Sequence, residues 1–255
     1  MTTKYYPVFL DLAERTAVVV GGGTIAEGKV HGLLEAGARV VVISPAATEA
    51  IRALAEDDAI RHEPRPYAPG DLAGAWLAIA ATDDQAVNMA VAEEAARLRI
   101  LVNVVDRPAQ CTFIAPAVVR RGDLTLAIST NGKSPAMARY IREEIERLFP
   151  PEYGALLTLV AGVRSSLRSR GLTAPPDLWQ EALSMDLLSL LRRGQAAEAA
   201  ATLDRTLTAG SVLESTVRGT PTRTPRRRAP VLPAAAQTST ISSAKTRRRK
   251  LTKKA

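Results

Sequence analysis

The stretch TAVVVGGGTIA, residues 16–26, joins a run of β-branched residues to three glycines and to the beginning of a helix-like segment. It satisfies the pattern G-x-G-x-x-A in the strand, turn and helix context that a dinucleotide-binding fingerprint requires. Glycines let the backbone turn tightly and approach a pyrophosphate, and the amides that begin the helix can donate to an anion. The alternative is an ordinary glycine turn, which the Rossmann spacing of the surrounding elements disfavours. We therefore expect Gly21, Gly22 and Gly23 to bind a dinucleotide.

Apolar strand-like runs alternate with helix-like stretches around this turn. Such alternation is typical of repeated βαβ units around a parallel sheet. Strands are predicted at residues 16–20, 39–44, 75–81 and 100–105, with a weaker edge strand near 60–63. Helices are predicted at residues 26–36, 49–55 and 84–97. The sequence thus predicts an α/β fold with a Rossmann-type parallel sheet domain over residues 1–112.

The pattern changes after residue 112. Residues 113–130 resemble two strands joined at Arg121-Gly122-Asp123, a turn-forming sequence. Ser134 and Pro135 then supply a helix N-cap and a first helical residue. The domains expected to follow the sheet are a small α+β region at residues 113–150, a C-terminal helical domain at 151–217 and a disordered basic tail at 218–255.

The charge of the chain is strongly asymmetric. The formal net charge is +8, yet residues 218–255 hold twelve of the 34 Lys and Arg residues and none of the 26 Asp and Glu residues. Residues 1–217 therefore carry a net charge of −4, which argues against nucleic acid as a partner of the folded part. The tail is rich in Arg, Pro, Thr, Ser and Ala, a composition typical of a solvated, disordered segment. Its role stays open.

Cysteines, histidines and apolar runs limit the class of protein. Cys111 is the single cysteine, and together with His31 and His62 it cannot form a zinc cluster of the usual kind. We expect no metal-binding residues. No apolar run approaches the roughly 20 residues that span a bilayer, and the first residues lack the pattern of a signal peptide. The sequence therefore predicts a cytoplasmic protein that does not contact a membrane.

The end of the second predicted strand reads Ser44-Pro45-Ala46. A Rossmann enzyme often has an acidic residue at this place, which binds the adenosine ribose. A serine can hydrogen-bond a ribose or tolerate a phosphate, so residue chemistry alone leaves the choice between NAD and NADP open.

A second group of polar residues lies at the carboxyl end of the predicted strand at 100–105. Asn103 and Asp106 are followed by Arg107 and Pro108, and open α/β sheets bind ligands at the carboxyl ends of their strands. A carboxylate beside a bound nicotinamide, particularly a partly buried one, can accept the proton that accompanies hydride loss. The alternative is a surface aspartate paired with Arg107. Asp106 is therefore the candidate catalytic residue.

Four segments carry a resemblance to a known family. They are VGGGTIAEGK at residues 20–29, LAIAATD at 77–83, NVVD at 103–106 and ISTNGKSP at 128–135. In order and spacing they resemble the motifs of the precorrin-2 dehydrogenase/sirohydrochlorin ferrochelatase family, the siroheme synthase N-terminal module. The resemblance covers roughly residues 4–210, and four ordered motifs are more specific than one glycine fingerprint.

The resemblance implies NAD-dependent oxidation of precorrin-2 to sirohydrochlorin by a homodimer whose dimerisation region is residues 113–150. It also implies that Asp106 is the functional acid/base residue. The NAD contacts that it implies, besides the glycines, are Thr24, Ile25, Pro45 and Ala46. Many members of the family also insert Fe²⁺ into sirohydrochlorin, and whether this chain does so stays open.

The implied substrate is a tetrapyrrole rich in carboxylates, so its site needs cations. Lys133, Arg139 and Arg142 are the candidates, with solvated surface charge as the alternative for each of them. Lys29, one helical turn after the glycines, is interpreted as a surface residue. A serine of the family's last motif is replaced here by Thr130, so regulation through that serine is not expected.

These residues are also compatible with two other classes of protein. A Rossmann-type sensor or regulatory protein would bind NAD through the glycine turn without catalysis. A structural interaction protein would bind neither NAD nor a tetrapyrrole. NAD binding and turnover distinguish the three hypotheses.

Overall fold

The structure of the chain, a computed structural model, describes residues 4–184 and 186–213. The predicted tail at residues 218–255 lies outside the described residues. None of the helices in the described part combines the length and the apolar character that a membrane crossing demands. In the same part, no group of three or more His, Cys, Asp and Glu side chains is arranged to hold a metal ion.

The first part of the chain forms a five-stranded parallel sheet with helices on both faces. Its elements are β1 (Thr16–Val20), α1 (Thr24–Glu35), β2 (Arg39–Ile43), α2 (Glu49–Glu56), β3 (Arg61–Glu63), β4 (Leu77–Ala80), α3 (Gln85–Leu98) and β5 (Leu101–Val104). The strand order is β3-β2-β1-β4-β5. The order reverses between β1 and β4, which makes this the topological switch point of a Rossmann-type sheet.

Strand β1 is apolar from Ala17 to Val20 because the sheet is covered on both faces. Ala17 and Val19 pack into a core with α1 and α2, whereas Val18 and Val20 pack into a second core with α3. All four are buried. A half-exposed strand would instead alternate between apolar and polar residues.

The strand register brings the carboxyl ends of the central strands together. Val20 pairs with both Ile43 and Ala80, and Ala80 also pairs with Val104. The segments that follow these residues therefore leave the sheet at the same edge. Both sites predicted from the sequence lie at this edge.

The predicted hairpin and helix follow the sheet. Strands β6 (Ala117–Arg121) and β7 (Leu124–Ile128) pair antiparallel, and α4 (Pro135–Leu148) contacts both strands. Ser134 caps the helix as predicted, since its hydroxyl oxygen accepts a hydrogen bond from the N–H of Met137 at 3.1 Å.

This central region has almost no core of its own. Val119 is the one buried apolar residue within residues 113–150. Arg121 ties the hairpin to the end of α4, because its guanidinium donates to the carbonyl oxygens of Phe149 at 2.7 Å and Glu146 at 3.1 Å.

The last described part is helical, as predicted. Its helices are α5 (Glu152–Ser169), α6 (Pro176–Ser184), α7 (Leu187–Arg192) and α8 (Ala196–Ala209). Their shared core includes Val163, Leu167, Leu187, Leu203 and Leu207. The predicted fold class is confirmed.

One pair of short strands was not predicted. Strand β8 (Leu172–Thr173) pairs antiparallel with β9 (Val212–Leu213). Two residues are too few to show an alternating pattern, and the strands are far apart in the chain.

Candidate functional site

The first candidate site is a cavity of about 660 Å³ at the carboxyl edge of the sheet. The residues predicted to bind the cofactor all line it, namely Gly21, Gly22, Gly23, Thr24, Ile25, Pro45 and Ala46. Residues 81–84 line another side of the cavity, and Pro66 and Tyr67 also line it. α/β proteins bind nucleotides in clefts of this kind at the switch point.

The three glycines of the turn differ in the space that surrounds them. Gly21 has a φ of +120°, and a Cβ added there would lie 2.2 Å from the carbonyl oxygen of Ala81. A Cβ on Gly22 would lie 2.1 Å from the carbonyl oxygen of Ala46. The packing of the protein itself therefore excludes side chains at both positions. A Cβ on Gly23, in contrast, would meet nothing within 4 Å.

The open side of Gly23 fits a ligand that approaches the backbone closely. Gly23 is the N-cap of α1, and no side chain caps this helix. The first N–H groups of a helix have no partners within the helix and attract anions. A dinucleotide would supply diphosphate oxygens to these N–H groups, so the residues present fit the cofactor.

The end of the cavity near β2, where Rossmann proteins bind the adenosine, has no charged side chain. Ser44 is 3% exposed, and Nε2 of His62 lies 3.1 Å from both its hydroxyl and its carbonyl oxygen. Because a carbonyl oxygen can only accept, Nε2 of His62 donates. Neither Lys nor Arg lines the cavity, whereas Asp83 and Asp84 do. A 2′-phosphate would find no cation there, which favours NAD over NADP.

The second candidate site is a cavity of about 470 Å³ between the end of β5, the β6–β7 hairpin and α4. Asn103, Asp106 and Arg107 line it, together with residues of the turn at 128–132. Helix α1 contacts both cavities, since Thr24 and Ile25 line the first and Lys29 lines the second. The two sites that the sequence indicated are therefore neighbours along one edge.

Asp106 lies in the left-handed region with a φ of 58°, two residues after the last residue of β5. Its side chain is exposed, so the partly buried carboxylate considered from the sequence is not what the structure has. No hydrogen bond or ion pair between described residues involves this carboxylate, and the alternative pairing with Arg107 is absent from them. Asp106 is thus free to accept a proton from a ligand in the second cavity.

Asn103 holds the loop after β5. It is 8% exposed, and its Nδ2 donates to the carbonyl oxygen of Phe113 at 3.1 Å and lies 3.7 Å from Sγ of Cys111. Sγ of Cys111 also accepts from the N–H of Val104 at 3.2 Å. Burial raises the pKa of the Cys111 thiol, which therefore stays protonated. These contacts position Asp106 through the loop that carries it.

The cations of the second cavity differ in part from those predicted. Arg139 and Arg142 line it, whereas Lys133 does not. Arg142 is already paired with Glu146 at 2.6 Å. Lys29 and Arg107 also line the cavity. Sequence reasoning missed both of them, since the only signal for Lys29 was its spacing from the glycines.

Thr130 retains the hydrogen bonds that a hydroxyl makes in this turn. Its Oγ1 donates to the carbonyl oxygen of Ser134 at 3.1 Å and lies 3.3 Å from the N–H of the same residue. The hydroxyl of Thr130 thus joins the turn to the N-cap residue of α4.

Two protein families match the chain in sequence. Residues 8–117 match the family described as "Putative NAD(P)-binding", and residues 121–148 match "Sirohaem biosynthesis protein central". The first match contains the glycine turn and Asp106. The second contains β7 and α4 with its N-cap.

Curated relatives carry the name siroheme synthase. The protein from Thioalkalivibrio sulfidiphilus is 40% identical over 212 residues, which is 81% of this chain and 42% of the relative. The protein from Methylobacillus flagellatus is 44% identical over 164 residues, which is 64% of this chain and 35% of the relative. The chain thus spans less than half the length of these relatives.

A solved structure resembles the fold over most of this chain. The structure of SirC, precorrin-2 dehydrogenase, is 28% identical in sequence and superposes with a TM-score of 0.62. The match covers 79% of this chain and 100% of that one.

Proposed function

This chain belongs to the family of the siroheme synthase N-terminal module and precorrin-2 dehydrogenase, and we propose that it oxidises precorrin-2 to sirohydrochlorin with NAD. The observation that carries the proposal is the pair of neighbouring cavities at one sheet edge. One has an open glycine turn, and the other has a free carboxylate and unpaired cations. The arrangement suits a dinucleotide beside a polycarboxylate substrate.

The glycine turn binds the diphosphate of the dinucleotide. Gly23 allows the approach, and the first N–H groups of α1 donate to the phosphate oxygens. The remaining contacts are with Thr24 and Ile25 on one side and Pro45 and Ala46 on the other. When bound, NAD supplies the hydride acceptor.

Asp106 accepts the proton that leaves the substrate with the hydride. Loss of a hydride and a proton removes two electrons and two hydrogens from the tetrapyrrole, so the step balances with one base. Supporting evidence for this role is the absence of a competing partner for the carboxylate among the described residues. A positioned general base contributes typically about 10²- to 10⁴-fold to a rate.

Lys29, Arg107 and Arg139 bind carboxylates of the substrate. None of the three has an ion pair with a described residue, so their charges are available to a ligand. Arg142 contributes less because Glu146 already neutralises it. Charge-assisted hydrogen bonds of this kind are roughly twice as strong as neutral ones.

The protein acts as a homodimer in the cytoplasm. Support for the dimer comes from α4, in which no residue is buried although Met137 and Tyr140 are apolar and more than half exposed. A second copy of the chain would cover this face. Apolar surface of this kind commonly marks an interface between proteins.

Insertion of Fe²⁺ into sirohydrochlorin is a second candidate reaction of the same cavity. The observation that favours it is again the unpaired Asp106 carboxylate, which can take protons from the pyrrole nitrogens as the metal enters. Fe²⁺ is a substrate in this reaction, and the macrocycle supplies its ligands.

The test is turnover of purified protein with NAD⁺ and enzymatically generated precorrin-2 under anaerobic conditions. We expect sirohydrochlorin and NADH in equal amounts. Binding of NAD⁺ without turnover would favour the sensor hypothesis, and binding of neither compound would favour the interaction protein. Addition of Fe²⁺ to sirohydrochlorin tests the second reaction separately.

A further inference from the structure

The segment between β3 and β4 forms a wall of the nucleotide cavity through Pro66 and Tyr67. It is folded on itself by Asp71, whose carboxylate accepts from the N–H of Ala68 at 2.8 Å and from two nitrogens of Arg65 at 2.8 Å each. The Arg65 guanidinium holds the pKa of this carboxyl below its usual value. Hydrogen bonds between groups of the protein itself therefore define the shape of this wall.

A buried carboxylate from another element holds the same segment. Glu94 on α3 is 3% exposed, and no ion pair between described residues involves it. It accepts from the N–H of Gly70 at 2.9 and 3.0 Å, from the N–H of Leu72 at 3.4 Å and from the hydroxyl of Tyr67. A buried charge without a cation is costly unless such donors surround it. An apolar residue at this position would leave the hydroxyl of Tyr67 and the N–H of Gly70 without this acceptor.

Tyr67 connects this carboxylate to the cavity. Its ring packs against the core on the α3 side of the sheet and also lines the cavity. Burial, and then the hydrogen bond to Glu94, raise the pKa of Tyr67, so the hydroxyl stays a donor at every physiological pH. Glu94 thus fixes the hydroxyl end of a side chain that lines the cavity.

The wall stands at the adenosine end of the cavity. Strand β3 is the neighbour of β2, and the segment that leaves β3 lines the same cavity as Ser44, Pro45 and Ala46. In Rossmann sheets the end of the second strand is where the adenosine ribose binds.

We propose that Glu94 is a positioning residue for the cofactor, which holds Tyr67 and the 67–72 backbone as a preformed wall for the adenosine half of NAD. The inference rests on the proposed NAD-dependent function and assigns a further part of the same site. A wall that is ordered in advance lowers the conformational cost of binding. Its loss should weaken binding without slowing the chemical step.

The experiment uses Glu94→Gln and Tyr67→Phe, with Glu93→Gln and Tyr6→Phe as matched controls. Glu93 is the exposed neighbour of Glu94 on α3, and Tyr6 is 87% exposed. Calorimetry gives the Kd of NAD⁺ and of ADP-ribose, which lacks the nicotinamide. We expect both Kd values to rise about fivefold or more in the two variants, and kcat at saturating NAD⁺ to stay unchanged. The controls should match the unmodified protein.

The outcomes separate this inference from the function on which it rests. Failure of the unmodified protein to bind NAD⁺ would overturn the proposed function. Normal binding of NAD⁺ and ADP-ribose by both variants would overturn the positioning role alone, as would a lower kcat with an unchanged Kd. Tyr67→Phe removes one hydroxyl and keeps the ring, so it tests the proposal even if Glu94→Gln does not fold.

Discussion

A Cβ on Gly21 would lie 2.2 Å from the carbonyl oxygen of Ala81, so the first glycine of the turn is needed for the close contact of β1 with the end of β4. Gly23, two residues later, has open space where a Cβ would stand. The fold therefore requires the first glycine, and we expect the third to be required only by a ligand. Mutation can separate the two requirements.

Gly21→Ala should lower the stability of the protein, whereas Gly23→Ala should lower its affinity for NAD⁺. Gly21→Ala adds a backbone clash to a φ of +120°, so we expect a loss of stability of about 2 kcal/mol or more. Gly23→Ala should leave the thermal midpoint of the free protein within about 1 °C and raise the Kd of NAD⁺ about tenfold or more. Thermal unfolding and calorimetry measure these quantities. Unchanged NAD⁺ affinity in Gly23→Ala would argue against the diphosphate site.

Asp106→Asn should lower the rate of precorrin-2 oxidation by about 10²-fold or more. Asparagine tolerates a positive φ as aspartate does, so the loop should keep its conformation and NAD⁺ should bind normally. Single-turnover kinetics with saturating NAD⁺ measure the chemical step. Asp123→Asn, an exposed residue of the hairpin turn, is the control. An unchanged rate would remove Asp106 from the mechanism.

The sheet and its two edge sites could be predicted because their signals are local. The apolar runs of β1 and β4 and the glycine turn each lie within a few consecutive residues, and parallel strands necessarily end at one edge. Asp106 followed from the same rule, since it comes directly after the strand predicted at residues 100–105. The exposure of its carboxylate could not be predicted, because it depends on how the loop to Cys111 folds.

The contacts that complete the sites are distant in sequence. Tyr67 and Glu94 are 27 residues apart, and neither residue stands in a recognisable motif. Lys29 lies on a helix whose orientation depends on packing against the sheet, so its position at the second cavity needed the structure. Lys133 was predicted from charge alone, which does not say which way a turn directs a side chain.

Lys29→Gln and Arg139→Gln should each raise the KM for precorrin-2 about tenfold, with a small effect on the Kd of NAD⁺. Each substitution removes a cation that lines the second cavity and has no ion pair among the described residues. The effect should diminish as salt rises, because ions screen exposed charges. Initial rates at several ionic strengths give these values.

Lys133→Gln is the matched control for the cation variants. Lys133 carries the same charge and follows the turn at residues 128–132 that lines the cavity, but it does not line the cavity itself. A KM in Lys133→Gln that rises as much as in Lys29→Gln would mean that the net charge of the surface, rather than contact in the cavity, governs substrate binding.

Met137→Glu and Tyr140→Glu should convert a dimer into a monomer. Met137 and Tyr140 lie three residues apart on α4, so they share a face, and they are 51% and 57% exposed. Burial of apolar area contributes about 25 cal/mol per Å², and a carboxylate on that face would have to be buried without a partner. Sedimentation velocity at several protein concentrations measures the assembly.

Leu183→Glu, at an exposed apolar residue of α6, should leave the dimer intact. If the unmodified protein is a monomer at all concentrations, the proposed dimer is wrong. If both α4 variants remain dimeric, the interface does not include this face of α4.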